Sequence, residues 1–153
     1  MPQVPLLMKV LSYAGIIPFI GLFLIIWLQP PQIVIDLTNT ALWMMAYAAI
    51  ILSFLGAIHW GMLLNSSDQE ISSVRITQML IWGASPAVLA WLCMLLPIPI
   101  ALIALAVLIV LAYVVDRLWI LATASAGYST LRLHLTLAVA TLLLLSGLKL
   151  AIT

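Results

Sequence analysis

The chain has 153 residues, of which 67% are apolar and 6% charged, with a mean hydropathy of +1.34. Soluble domains average roughly 45–50% apolar and ~25% charged residues, so this composition excludes a water-soluble fold and implies a membrane protein. The formal net charge of +1 leaves no basic footprint for nucleic acid, and the single cysteine, Cys93, excludes an internal disulfide.

Five apolar runs, each bounded by proline, glycine or charge, are long enough to cross a ~30 Å hydrocarbon layer, for which about 20 residues suffice. The first, about Val10 to Leu28, follows Lys9 and stops at the Pro30–Pro31 pair; Pro18 inside it predicts a kink. It lacks a small-residue cleavage site, which makes it a retained span, and an Arg- and Ser-rich transit segment is not visible. The second, about Ala41 to Leu64, contains SFLGAIHWG from Ser53 and leads into the polar stretch NSSDQEISSVR, Asn65 to Arg75, read as a loop with room for a short surface helix. The third, about Met79 to Leu96, holds Pro86 and predicts a second kink. The fourth, about Ile98 to Val115, follows so short a link at Pro97 and Pro99 that it must run antiparallel beside the third. The fifth is about Leu133 to Ile152. Lipid does not hydrate an open backbone, and no alternating barrel pattern is visible, so the expected fold is all-α: one polytopic domain over residues 1–153, an integral membrane bundle of five transmembrane helices.

Basic residues favour the cytoplasmic side of short loops. Five spans place Lys9, Arg75, Arg117 and Arg132 on one side and Lys149 on the other, which predicts a cytoplasmic N-terminus and a periplasmic C-terminus. Trp27 and Trp43 then fall near the outer boundary, and Trp60 and Trp119 near the inner one. An odd number of spans argues against a simple inverted repeat of the transporter kind.

The same topology gathers His59, Asp116, Arg117, Arg132 and His134 at the inner side, with His59 about 7 Å inside the end of its span. A carboxylate beside a histidine fixes its tautomer, so the group is a candidate for ligand binding or proton relay. The competing reading is structural, because charges at a span boundary mark topology and snorkel to water. Around His59, Ser53, Ala57 and Gly61 recur every four residues and extend to Ala49. Gly56 and Trp60 lie on the adjoining face, and Gly83 with Ala87 forms a similar pair on the third span. Small residues at such spacing serve helix packing, with a ligand slot as the alternative. Tyr13, Tyr113 and Tyr128 read as interfacial rings. No HExxH, GxSxG or Walker pattern is present, so no catalytic residue, metal or cofactor is assigned. His59 and His134 as two haem ligands lack any further sign of a porphyrin site.

YAGIIPF from Tyr13, YAAIILSFLGAIHWG from Tyr47, SPAVLAW from Ser85, the Asp116–Arg117 pair and YSTLRLHLT from Tyr128 together resemble the domain of unknown function 3429 family, whose eukaryotic relatives include transmembrane protein 69. The resemblance runs over nearly the whole chain, and the SFLGAIHWG block is specific. It implies a small multi-span protein of bacterial or mitochondrial membranes, with Gly56, His59, Trp60, Asp116 and Arg132 in the shared pattern, and it supplies no reaction. The missing transit segment points to a bacterial inner (cytoplasmic) membrane.

Two functions are expected. The first is a non-enzymatic inner-membrane component, oligomeric or accessory, that supports cell-envelope integrity or a larger membrane complex. The second is a lipid-, quinone- or proton-handling protein that uses the polar cluster around His59, with an enzyme acting on lipid as a weaker third. Partners under either are membrane lipids and a homo-oligomer or larger complex, without nucleic acid.

Overall fold

The structure, a computed structural model, describes residues 5–29, 36–64, 72–121 and 126–152. Among these residues all the regular structure is helical, with no strand. The helices are α1 (Leu6–Ala14), α2 (Ile17–Leu28), α3 (Leu37–Leu64), α4 (Ser73–Cys93), α5 (Ile98–Asp116), which continues into a π-helical turn (Arg117–Leu121), and α6 (Ala126–Ala151). α1 and α2 together, α3, α4, α5 with the start of the π-helical turn, and α6 are five segments long and apolar enough to cross a membrane. The Pro30–Pro31 stop and residues 65–71 of the polar stretch lie outside the described residues.

Local chemistry explains where these helices begin and break. The first span is broken after Ala14 because Pro18, at the second position of α2, has no N–H with which to continue the hydrogen-bond ladder. Gly15 and Ile16 turn the chain there, closed by Gly15 N–H to the Leu11 carbonyl and Ile16 N–H to that of Tyr13. α3 starts at Leu37, several residues before the hydrophobic run suggests, because Asp36 caps it. Its carboxylate accepts from the Thr38 N–H at 2.9 Å and from the Asn39 side chain at 2.8 Å. Ser72 does the same for α4 through the Arg75 N–H, so the end of the polar stretch is helical. Pro86 lies inside α4, which runs on to Cys93. Pro97 caps α5, and Pro99 occupies its first turn.

α5 is the central helix. It packs on α3, α4 and α6 and buries Ala101, Leu102, Leu105, Ala106, Ile109, Ala112 and Tyr113. That spacing is one helical face widened by alanines, which lets neighbouring backbones close in. α2 lies against α3 and α6, whereas α1 buries no residue and leans chiefly on α6. At one end of the bundle the Lys149 ammonium sits 5.9 Å from the Trp27 ring centre, and Gly147 of α6 presses on Pro99, Leu102 and Ile103. The opposite end holds the last turns of α3 and α5 and the first turns of α4 and α6.

Glycine contact joins α3 to α4. A Cβ on Gly56 would run into the Gly83 carbonyl, and one on Gly83 would strike the Trp60 indole. Trp60 covers this crossing and donates from Nε1 to the Leu80 carbonyl at 3.0 Å. The Ser53–Ala57–Gly61 stripe behaves differently: all three residues are exposed, Ser53 bonds back to the Ala49 carbonyl, and the position of a Cβ on Gly61 is open. One residue along a helix is a rotation of about 100°, so packing within the chain uses Gly56 and turns that stripe outward. Ala87 is half-buried. Accordingly, Gly56→Ala is expected to cost about 1–3 kcal/mol, because backbone cannot give way as a flexible side chain does. Gly61→Ala is expected to be neutral or slightly stabilising, since alanine is the better helix former. Thermal unfolding of the two detergent-solubilised variants checks the contrast.

Candidate functional site: a buried ion pair beside an apolar groove

Asp116 ends α5, Arg132 lies in the second turn of α6, and His59 stands slightly more than one turn from the end of α3. Alternating helix direction brings all three to the same end of the bundle. Arg132 donates from Nη2 at 2.7 Å and from Nε at 3.1 Å, both to Asp116 Oδ2, and from Nη1 to Thr136 Oγ1 at 3.2 Å. Asp116 is 5% exposed and Arg132 6%, so this is an ion pair withdrawn from solvent. Such a pair needs its hydrogen bonds satisfied to offset the desolvation of both charges, and Thr136 supplies one of them. The spacing Arg132–Thr136 is one helical turn, which lets the hydroxyl reach the guanidinium on the same face.

His59 completes the group and is fully buried. Its Nε2 is 3.6 Å from Asp116 Oδ1, about half an ångström beyond an ordinary hydrogen bond. Among the described residues neither ring nitrogen has a hydrogen-bond partner, and its interactions with the Leu55 and Gly56 backbone fall short of that geometry. Buried orphan nitrogens are rare, because each carries the full loss of hydration. The imidazole meets Trp119 edge to face at 5.9 Å between centroids, Trp119 meets Trp82 at 6.4 Å, and the Arg75 guanidinium lies 4.7 Å from the Trp119 ring centre. Trp119 belongs to the π-helical turn directly after Asp116, and single π-helical turns recur at functional sites.

The cluster expected from sequence therefore divides. His59, Asp116 and Arg132 come together, whereas Arg117 and His134 are exposed. Arg117 follows Asp116 immediately and so leaves the buried face by rotation. His134 pairs instead with Tyr13, whose hydroxyl is 3.2 Å from Nδ1, and this contact holds α1 against α6. His59 and His134 thus sit in different surroundings, one enclosed and one at the surface. Among the described residues no group of three His, Cys, Asp or Glu side chains stands together as metal ligands.

A cavity of about 820 Å³ adjoins the ion pair, within the ~300–1,000 Å³ typical of small-molecule sites. Its walls are apolar and come from α1, α2, α3, α5 and α6, among them Met8, Phe19, Ile51, Leu55, Leu135 and Val139. Polar lining is limited to Ser12, Tyr128, Arg132 and Thr136. Sequence reasoning missed Thr136, Trp119, Tyr128 and Arg75 as members of this region, having read the rings as interfacial and Arg75 as a loop charge. The one signal available was Arg132 and Thr136 at helical spacing.

Five apolar crossing helices around a buried ion pair define a multi-pass membrane protein of the small helical-bundle class. Residues 4–148 match the family described as protein of unknown function (DUF3429), and the chain belongs to it. No curated protein and no solved structure matches it.

Removing one member of the pair leaves the other charge buried and alone. Asp116→Leu or Arg132→Met is expected to cost about 3–5 kcal/mol, while the double replacement recovers most of the loss or exceeds wild-type stability. Unfolding midpoints of the three variants in one detergent check this cycle.

Proposed function

We propose that the protein is a small, non-enzymatic membrane component that holds a lipid-like amphiphile in the groove, its tail along the apolar walls and its polar group at Arg132 and Thr136. The observation that carries this reading is the juxtaposition of an 820 Å³ apolar cavity with a buried, hydrogen-bonded ion pair at one of its margins. A purely structural ion pair has no need of an open space beside it, and packing would remove that space at a gain in dispersion energy. Its setting is a bacterial inner membrane, with the N-terminus and the ion-pair end cytoplasmic and the C-terminus periplasmic, supported by Lys9, Arg75, Arg117 and Arg132 on one side against Lys149.

A second reading, an oligomeric or accessory subunit supporting the cell envelope, is favoured by the outward Ser53–Ala57–Gly61 stripe, which offers a close-packing face to another helix. The two readings make separable demands. Leu135→Trp fills the groove, and native mass spectrometry of the purified protein is expected to find co-purifying amphiphile reduced about tenfold or more. Ala57→Leu is expected to leave that amphiphile in place. If the groove is filled without loss of retained amphiphile, and Ala57→Leu instead changes the particle mass, the accessory reading prevails. Reporter fusions at each terminus are expected to place the N-terminus in the cytoplasm and the C-terminus outside it.

A further inference from the structure

We infer that the groove selects an amphiphile with a neutral, hydrogen-bond-accepting head, a carbonyl group, over one with an anionic head. This rests on the groove-binding reading above and names the chemistry of its occupant.

Depth comes first. On α6 the lining runs from Tyr128 to Val139, about three turns or ~16 Å. Half of a ~30 Å hydrocarbon layer is about 15 Å, so the groove is as deep as one leaflet. Its lining runs from Pro5 and Tyr128, at one end of the bundle, to Phe19, Ile51 and Val139 near the middle of their spans. A hydrocarbon tail of one leaflet's length fits this space, and a molecule spanning both leaflets does not.

The polar margin then sets the head. Of the five N–H groups of a guanidinium, Arg132 commits three to Asp116 and Thr136. Two remain. Thr136 accepts from Arg132 through Oγ1, and its own O–H has no acceptor among the described residues. The unused donors therefore belong to two residues that line the groove, and their complement is an acceptor. An anion is also an acceptor, but charge decides against it. Asp116 already cancels Arg132 at 2.7 Å, and among the described residues no other cationic side chain lines the groove. A carboxylate or phosphate head would shed its hydration beside an existing carboxylate with no net positive charge to compensate it. A carbonyl sheds far less and meets the same donors.

A carbonyl of this kind occurs in a glycerolipid ester or in a quinone ring, and the test separates them. The full-length protein in neutral detergent is titrated with dioleoylglycerol, a decyl-substituted benzoquinone, oleate and dioleoyl phosphatidic acid, with binding followed by thermophoresis. At least one neutral probe is expected to bind about tenfold or more tightly than either anionic probe, and the tighter of the two neutral probes identifies the source. Asp116→Asn, measured below its lowered unfolding temperature, unmasks Arg132 and is expected to abolish or reverse the preference. Thr136→Val, which removes one donor without changing charge, is expected to weaken the neutral probe about fivefold. Anionic probes binding wild type equally well or better would overturn the head-group inference while leaving the groove as a site. So would an unchanged neutral affinity in Thr136→Val. If no probe binds and Leu135→Trp retains as much amphiphile as wild type, the groove-binding reading falls as well.

Discussion

The Asp116–Arg132 ion pair is the constraint around which this bundle is organised. In lipid, helices gain no hydrophobic free energy by leaving the bilayer for one another, so close packing and polar contacts decide which neighbours they take. A carboxylate and a guanidinium at membrane depth are costly apart and tolerable together. Their pairing therefore fixes α6 against α5 in both rotation and register, since Arg132 must face Asp116 and also reach Thr136 one turn on. His59 extends the same polar layer to α3, without closing a hydrogen bond.

Away from that layer the bundle is held by absence of side chain. Gly56 lies against Gly83 between α3 and α4, and Gly147 against Pro99 between α6 and α5, each allowing backbones to approach where any Cβ would intrude. These contacts join α3, α4, α5 and α6 into one unit with α5 at its centre. The first span is attached more loosely: α2 lies in the groove between α3 and α6, while α1 rests on α6 through the Tyr13–His134 contact and contributes one wall of the cavity.

Composition and hydropathy were enough to find five crossing helices, because a residue's preference for lipid is a local property summed along the chain. Helix ends were less legible. Asp36 and Ser72 lie outside the long apolar runs that hydropathy picks out, yet their side chains satisfy the first N–H groups and so start α3 and α4 early. Counting along the sequence placed five titratable residues at one end but could not resolve direction around each helix. Rotation separates Asp116 from Arg117, and Arg132 from His134, into buried and exposed. The same angular blindness grouped Ser53, Ala57 and Gly61 with Gly56 as packing residues of α3, where only Gly56 of the four is buried within the chain. Trp119 and the groove were hidden for a different reason: both arise from tertiary placement, one through the π-helical turn after Asp116 and the other from five helices that leave space between them.

The one-sided reach of the groove carries a topological consequence. A cleft whose lining runs from one end of the bundle to the middle of its spans would, as the proposed site, draw on a single monolayer, so its contents would follow the composition of that monolayer and be indifferent to the opposite one. Biological membranes keep their two halves unlike. With the groove as its site, a bundle built this way would sample one half only, and inverting its insertion would change what it meets without altering a single contact inside it.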